Sequence, residues 1–305
     1  MATETASAPA ATAGAPQLSP EADRVFVRPN RAFDDPRGWG RVARYVLLGV
    51  VSFIVLFPVY TTVVASLKPG DKVLENPLVP DAFTLDVVRE AWSAGRLDQY
   101  LFNSAVVAVV VTVCQVVTSL LSAYAFAFLR FPGRDILFVA FLATLLVPLE
   151  ATMVVNRDTV DTLGWLNTYQ GLAVPFLATA FGTFLVRQTF LVLPNDLRDA
   201  ARIDGVGHLG FLRHVAVPLA RPTLGALALF SFLSTWNQYL WPNLVITEDD
   251  KNTVQSGLRL LSKANIDQPN LVMAGTVIAA IPIAVVLVVF QKQLVRGLTA
   301  GAVKG

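Results

Sequence analysis

Six stretches of this chain are almost free of charge, and each is long enough to cross a lipid bilayer. A helix needs about 20 apolar residues, at about 1.5 Å per residue, to cross about 30 Å of hydrocarbon. Five stretches contain no Asp, Glu, Lys or Arg, and the remaining one contains only Glu150. They are residues 45–67, 99–129, 136–156, 162–186, 222–247 and 268–291. The pattern predicts an all-α membrane protein with six transmembrane helices.

The composition excludes several other classes of protein. Charged residues make up 15% of the 305 residues and hydrophobic residues 54%, whereas about 25% of a typical soluble domain is charged. This excludes a disordered regulator and a disulfide-built secreted module. A net charge of +2 is too small to indicate a nucleic-acid partner. The single cysteine, Cys114, has no partner for an intrachain disulfide.

Basic residues indicate how the chain is oriented. With a cytoplasmic N-terminus, the inside segments hold 16 Lys and Arg and the outside segments hold 8. The inside segments are residues 1–44, 130–135, 187–221 and 292–305, and the outside segments are residues 68–98, 150–161 and 248–267. Basic loop residues favour the cytoplasmic side, so we expect both chain ends inside. We expect residues 1–40 to form a disordered cytoplasmic tail without a signal peptide. Residues 41–298 are the predicted six-span domain, and residues 299–305 a cytoplasmic C-terminal tail. A short helix is expected over residues 86–94 of the first outer loop.

No pattern of catalytic or metal-binding residues is present. The chain lacks His-Glu-x-x-His, Gly-x-Ser-x-Gly and the phosphate-binding Gly-Lys-Ser/Thr. We therefore expect no catalytic residue, no metal and no cofactor. His208 and His214 are six residues apart, a spacing that would put them on opposite faces if the helix were continuous. They are interpreted as surface or docking residues.

Polar side chains at membrane depth are better candidates for a solute site, since burying them is costly. Glu150 either reaches headgroup water or lines a cavity, where it would accept hydrogen bonds from ligand hydroxyls or pair with a ligand amine. Trp236, Asn237, Gln238 and Tyr239 lie late in the fifth stretch. They either join helices and anchor the outer interface, or bind solute through amide groups and aromatic stacking.

Three further polar residues are weaker candidates. Gln115 and Ser119 lie in the second stretch, where packing is the simpler interpretation. Arg187 ends the fourth stretch on the predicted inner side, where a basic anchor is more typical than a phosphate ligand.

The longest internal loop predicted inside has the pattern of a helix pair. Residues 195–204 are predicted to be helical, with Asn195 as the N-cap. Gly205 then interrupts, and residues 208–217 are predicted to form a second helix before Pro218. The element is too polar to span a membrane and too patterned to be a linker, so it indicates a docking surface.

The residues of this loop resemble a known family. Residues 199–206, followed by residues 215–219, resemble the EAA loop of ABC-importer permeases. The family's Glu is replaced by Asp199, and its Leu before Pro is replaced by Val217. Residues 122–133 and 297–305 resemble the carbohydrate (maltose-type) subfamily. Within it, second permease subunits of sn-glycerol-3-phosphate importers are similar over residues 146–150, 183–188 and 236–242.

The resemblance implies a type I ABC-importer permease fold in the cell membrane. It implies a second homologous permease, two cytoplasmic ATPase subunits and an extracytoplasmic substrate-binding protein as partners. ATP hydrolysis would then occur on the ATPase subunits and not on this chain. The implied cargo is a small polar solute: sn-glycerol-3-phosphate, a glycerophosphodiester or a sugar.

The same resemblance assigns a role to the loop of residues 195–217. It would be the coupling helix that transmits closure of the ATPase dimer to the spans. The residues assigned to this contact are Asp199, Ala200, Ala201, Asp204 and Gly205. Small side chains at three of these positions permit close packing against a partner.

Two functions from other classes are less consistent with the residues. A secondary transporter or channel needs no ATPase, but this chain shows no internal repeat and has one patterned inside loop. An intramembrane enzyme needs a nucleophile and a base, and the stretches contain no such pair.

The charge asymmetry makes a prediction about topology. In a variant without Cys114, single cysteines at positions 80 and 255 should react with a membrane-impermeant reagent in sealed cells, because they lie outside. Cysteines at positions 205 and 303 should react only after the cells are opened. Labelling of position 205 from outside would contradict the orientation.

Overall fold

The computed structural model describes residues 39–73, 76, 78–80 and 82–299. All regular secondary structure in these residues is helical. The helices are α1 (Trp39–Ser66), α2 (Gly70–Val73), α3 (Asp86–Ala94), α4 (Leu97–Phe128), α5 (Arg134–Ala143), α6 (Leu149–Thr162), α7 (Tyr169–Ala173), α8 (Ala180–Leu191), α9 (Asn195–Ile203), α10 (His208–Phe211), α11 (Val217–Trp236), α12 (Leu240–Val245), α13 (Val254–Ala264) and α14 (Pro269–Thr299). The predicted tails lie outside the described residues, except for residues 39–40 and residue 299.

Four of the helical segments are long and apolar enough to cross a membrane. They are α1, α4, the continuous segment of residues 208–236, and α14 up to Gln291. Two bent pairs of shorter helices also qualify if each pair is counted as one span. The prediction of an all-α, multi-pass membrane protein is confirmed at this level.

The chain divides into two units, residues 1–58 and residues 59–305. In the first unit, the described residues 39–58 form the N-terminal part of α1, and all of their side chains are exposed. Leu47, Phe53 and Ile54 are among them. Apolar surface of this extent is unfavourable in water, and it is the surface that a lipid-facing span presents.

The core of the second unit is built from α4, α8, α11 and α14. α11 packs against the other three, and α4 packs along α8. Ala123, Ala216 and Ala220 have no exposed surface. Small side chains let helix backbones approach closely, as is usual between membrane helices. A Cβ added at Gly182 of α8 would lie 2.3 Å from Ser119 Oγ, so Ser119 lies in this helix packing.

The third apolar stretch, residues 136–156, is not the single straight span that was predicted. It contains α5, a 3₁₀ turn and the start of α6, and the two helical parts meet at 97°. Pro148 lies at the bend, where it lacks a backbone N–H and forces Val147 into an extended conformation. Residues 150–161, predicted as an outer loop, belong to α6.

The fourth stretch, residues 162–186, is also broken. α7 continues into a 3₁₀ turn, and α8 begins after a 43° bend. The carbonyls of Phe176 and Leu177 lie at this break. Gln115 Nε2 donates to the first at 2.7 Å, and Thr118 Oγ1 donates to the second at 3.0 Å. The two side chains of α4 therefore replace hydrogen bonds that the broken helix cannot make.

Pro218 does not end a helix, contrary to the sequence prediction. Residues 208–236 are continuously helical, and the turn of residues 212–216 is a π-helix in which Val217 N–H bonds to Leu212 C=O. A π turn can re-satisfy backbone groups around a proline in a membrane helix. The helix ends at Trp236, so the predicted span of residues 222–247 also stops about one helical turn before α12.

Two further helices lie between the long ones. α3 has the predicted bounds, and its Val87 and Ala91 are buried with Leu271 of α14. α13 was not predicted. Its Leu261 is buried in the same cluster, while Val254 packs near Trp236. α13 therefore lies close to the end of α11, which matters for the site described below.

Candidate functional site

The first candidate surface is the α9 loop, which we define as residues 195–209. α9 begins directly after Pro194, and no side chain caps its first N–H groups. The prediction that Asn195 is the N-cap is wrong, since Asn195 is the first helical residue. Asp196 in the first turn is favourable to the helix dipole.

The end of α9 is closed by two backbone hydrogen bonds around Gly205. Val206 N–H donates to Ala201 C=O at 2.8 Å, and Gly205 N–H donates to Arg202 C=O at 3.1 Å. This is a Schellman motif, which needs a left-handed residue at the position of Gly205. The φ of Gly205 is +72°, so the predicted interruption at this glycine is confirmed.

The five residues assigned to the coupling contact do not share one face. Asp199, Ala200, Asp204 and Gly205 are exposed. Ala201 is only 7% exposed and packs into the chain's own core. Asp199 also lies 3.9 Å from Arg202 in an exposed ion pair. Four of the five positions are therefore accessible to a partner, and Ala201 instead attaches α9 to the core beneath it.

Sequence reasoning missed two apolar residues on this surface. Ile203 at the end of α9 is 86% exposed, and Leu209 in α10 is 78% exposed. Large aliphatic side chains at this exposure, with Leu197 and Val206 also exposed on the same loop, are typical of a surface that another protein covers. The available signal was an aliphatic residue at each side of the Gly205 turn.

A buried tyrosine connects the α9 loop to the core. Tyr124, near the end of α4, is 7% exposed, and its hydroxyl lies 2.9 Å from His208 Nδ1. Its ring centroid is 5.1 Å from that of Phe128, which in turn lies 5.5 Å from both Phe190 and Phe211. The aromatic cluster thus joins α4, α8 and α10. His208 is exposed as predicted, but it also makes this specific hydrogen bond.

The two other residues predicted on the inner side, His214 and Arg187, make contacts within the chain, although His214 is exposed. His214 Nδ1 lies 3.0 Å from Gly210 O, within its own helix. Arg187 Nε donates to Phe126 O at 3.3 Å, and its guanidinium lies 4.0 Å from the centre of the Phe138 ring. Arg187 therefore fastens α8 to α4 and α5.

The second candidate region is the segment of residues 237–243, which follows the end of α11. Asn237 is exposed, donates from Nδ2 to Leu233 O at 2.9 Å and accepts from Gln255 Nε2 at 3.4 Å. Gln238 is half-buried and Tyr239 is 42% exposed. These residues lie at a break between two helices and not inside a span.

Trp236 differs from its three neighbours. It is 2% exposed, its Nε1 donates to Ala279 O at 3.3 Å, and its ring stacks on Phe232 at a centroid distance of 5.5 Å. This geometry favours the packing interpretation of Trp236 that the sequence left open.

Glu150 is a separate candidate, at the start of α6. Its side chain is exposed in the first turn of α6, directly after the bend at Pro148. Within the part of the chain that the structure describes, its carboxylate has no hydrogen bond or ion pair. The structure does not bring Glu150 into contact with residues 237–239.

The long apolar helices and the bent helix pairs are typical of a multi-pass membrane protein. Residues 32–300 match the family described as the binding-protein-dependent transport system inner membrane component. The chain belongs to this family and is the permease subunit of an ABC importer. The resemblance found in the EAA loop is thereby confirmed.

Individual relatives agree with the family. The chain is 37% identical over 264 residues to the sn-glycerol-3-phosphate transport system permease protein UgpE of Brucella abortus, covering 83% of this chain and 93% of the relative. The protein of the same name from Rhizobium meliloti is 38% identical, with the same coverage.

A solved structure has the same fold. It is a bacterial ABC transporter involved in the import of the acidic polysaccharide alginate, with a TM-score of 0.73 and 24% sequence identity. The match covers 91% of this chain and 99% of that chain. The fold of the present chain is therefore that of an ABC-importer permease.

The Schellman motif at Gly205 generates a prediction. A Cβ at Gly205 or at Gly207 would meet no atom within 4 Å, but only Gly205 has a positive φ. Gly205→Val should therefore weaken the end of α9 by about 1–2 kcal/mol, while Gly207→Val should not. Amide hydrogen exchange over residues 195–207 should accelerate roughly tenfold or more in Gly205→Val. Equal protection in both variants would contradict the role assigned to Gly205.

Proposed function

We propose that this chain is one of two homologous permease subunits of an importer with two cytoplasmic ATPase subunits and an extracytoplasmic binding protein. The chain would cross the membrane six times, with each bent helix pair counted as one span. Both ends would be cytoplasmic, as the twofold excess of basic residues in the inside segments favours. The α9 loop would then lie on the cytoplasmic side, where the ATPase subunits are.

The α9 loop is proposed to be the coupling helix. The observation that carries this proposal is an exposed, partly apolar surface on a firmly attached loop. Ala200, Ile203 and Leu209 face outward, while Gly205 fixes the turn between α9 and α10. The hydrogen bond between the Tyr124 hydroxyl and His208 Nδ1 links the loop to α4. A displacement of the loop would therefore be transmitted to the spans.

The solute is proposed to be small and polar: sn-glycerol-3-phosphate, a glycerophosphodiester or a sugar. The names of the relatives support the first of these. Asn237, Gln238 and Tyr239 are the proposed solute contacts, because they are accessible at the break that follows α11. Trp236 would support them by packing. Glu150 would contact the solute only if the solute pathway widens at the bend near Pro148.

The coupling proposal is tested by placing a charge on the α9 surface. Ala200→Glu should leave the permease folded and in the membrane, since Ala200 is exposed in this chain. A carboxylate buried against a partner without a counter-charge is costly, so the ATPase subunits should no longer copurify. Transport should be lost with them.

The matched control is Ala94→Glu, the same change at an exposed alanine of α3, in the predicted outer loop. It should retain the ATPase subunits at the parental ratio. If Ala200→Glu retains the ATPase subunits and transports at the parental rate, the α9 loop is not the coupling element.

A further inference from the structure

Two side chains of α13 face the 237–243 segment. Gln255 donates to Asn237 Oδ1 at 3.4 Å, and Arg259 NH1 donates to Asn243 Oδ1. Residues four apart lie on the same face of a helix. α13 therefore presents an amide and a guanidinium side by side to the break at the end of α11.

The two asparagines are oriented to receive these donors. Asn237 Nδ2 donates to Leu233 O at 2.9 Å, and Asn243 Nδ2 donates to Tyr239 O at 2.6 Å. Each side-chain amide thus donates its N–H to a backbone carbonyl four residues earlier and directs its oxygen toward α13. This arrangement links Arg259 through the Asn243 side chain to the backbone carbonyl of Tyr239.

Arg259 differs from the other arginines predicted outside. Arg89, Arg96 and Arg157 each have a carboxylate within 4.0 Å, on Asp86, Asp250 and Asp158 respectively. Among the described residues, Arg259 has no such partner, and its hydrogen bond goes to a neutral amide. It is also half-buried. A cation that is partly removed from water without a counter-charge gains most from an anion that arrives there.

The guanidinium retains donors for such an anion. Arginine has five N–H groups in a planar fork, and the described residues account for one of them through Asn243. A phosphate offers several oxygens that match this fork in a bidentate contact. A neutral sugar would leave the charge uncompensated.

We propose that Arg259 binds the phosphate of the transported solute at the outer end of the pathway, with Asn243 and Gln255 as positioning residues. This inference rests on the proposed function, and it narrows the solute to a phosphate monoester or diester. Gln238 and Tyr239, in the same 237–243 segment as Asn243, would then contact the polar remainder of the solute.

The test uses the complete importer, with its binding protein and ATPase subunits, in proteoliposomes. The measurement is ATP-driven uptake of radiolabelled sn-glycerol-3-phosphate. Arg259→Gln can keep a hydrogen bond to Asn243 but loses the charge, and uptake should fall by about tenfold or more. Arg259→Lys keeps the charge and should retain more uptake than Arg259→Gln.

Arg157→Gln is the matched control, because Arg157 is a half-buried arginine that donates to Leu244 O of α12 and is paired with Asp158. It should lose little uptake. Copurification of the ATPase subunits and ATPase activity without solute should match the parent in all three variants, so that a folding defect is recognised.

The outcomes separate this inference from the proposed function. Parental uptake in Arg259→Gln, an equal loss in Arg157→Gln, or an equal loss in Arg259→Lys would overturn the phosphate contact. ATP-driven uptake of a neutral sugar but of no phosphate ester by the parental importer would also overturn it, with the importer function intact. A parental complex that takes up no solute with ATP would instead overturn the proposed function.

Discussion

Backbone hydrogen bonding in an apolar surrounding is the constraint on which this structure depends. Inside a bilayer each unpaired N–H or C=O is costly, so a helix can break only where other groups replace its hydrogen bonds. At the break before α8, Gln115 and Thr118 supply those groups from α4. At the start of α11, a π turn lets the helix pass Pro218. After the end of α11, the side-chain amides of Asn237 and Asn243 donate to backbone carbonyls four residues earlier. Each break is therefore a defined structure, stabilised by side-chain hydrogen bonds or by a local change of helix type.

The α9 loop, which is proposed to lie on the cytoplasmic side, must also pair the backbone groups at the end of its helix. The proposed coupling role requires a stiff loop, whereas a short helix alone frays at its ends. Gly205 closes the end of α9 with two backbone bonds, and Ala201 attaches it to the aromatic cluster beneath. Tyr124 completes the connection through His208. The surface left for a partner is consequently the outward face, with Ala200 and Ile203, while the inward face belongs to the permease itself.

Part of this architecture could be predicted from sequence because it depends on local properties. Uncharged length identified the long helices, the bounds of α3 were predicted correctly, and so was the interruption of the helix at Gly205. The bends could not be predicted, since apolar content does not report the direction of a helix. The helix is broken at Pro148 but continues through Pro218. A π turn precedes Pro218, and the local sequence does not reveal that turn.

The candidate site shows the same limit. Asn237 and Gln238 were identified because polar residues are conspicuous in an apolar stretch. Arg259 was not, because in a predicted loop it is one charge among many. Its significance comes from α13, which places it against Asn243 without a carboxylate. Trp236 has a side chain that is typical of ligand contacts. Only its packing against α14 indicates that its role is structural instead. Such roles depend on tertiary contacts between segments that are distant in sequence.

The central proposal is that this chain moves its solute only when ATP hydrolysis on partner subunits drives the α9 loop. The most direct measurement is uptake of sn-glycerol-3-phosphate into proteoliposomes containing the assembled importer and its binding protein, with ATP or a non-hydrolysable analogue inside. The account predicts uptake against a gradient with ATP, and none with the analogue or without the binding protein. Uptake that continues at the same rate with the analogue would contradict it and would favour a secondary transporter or a channel.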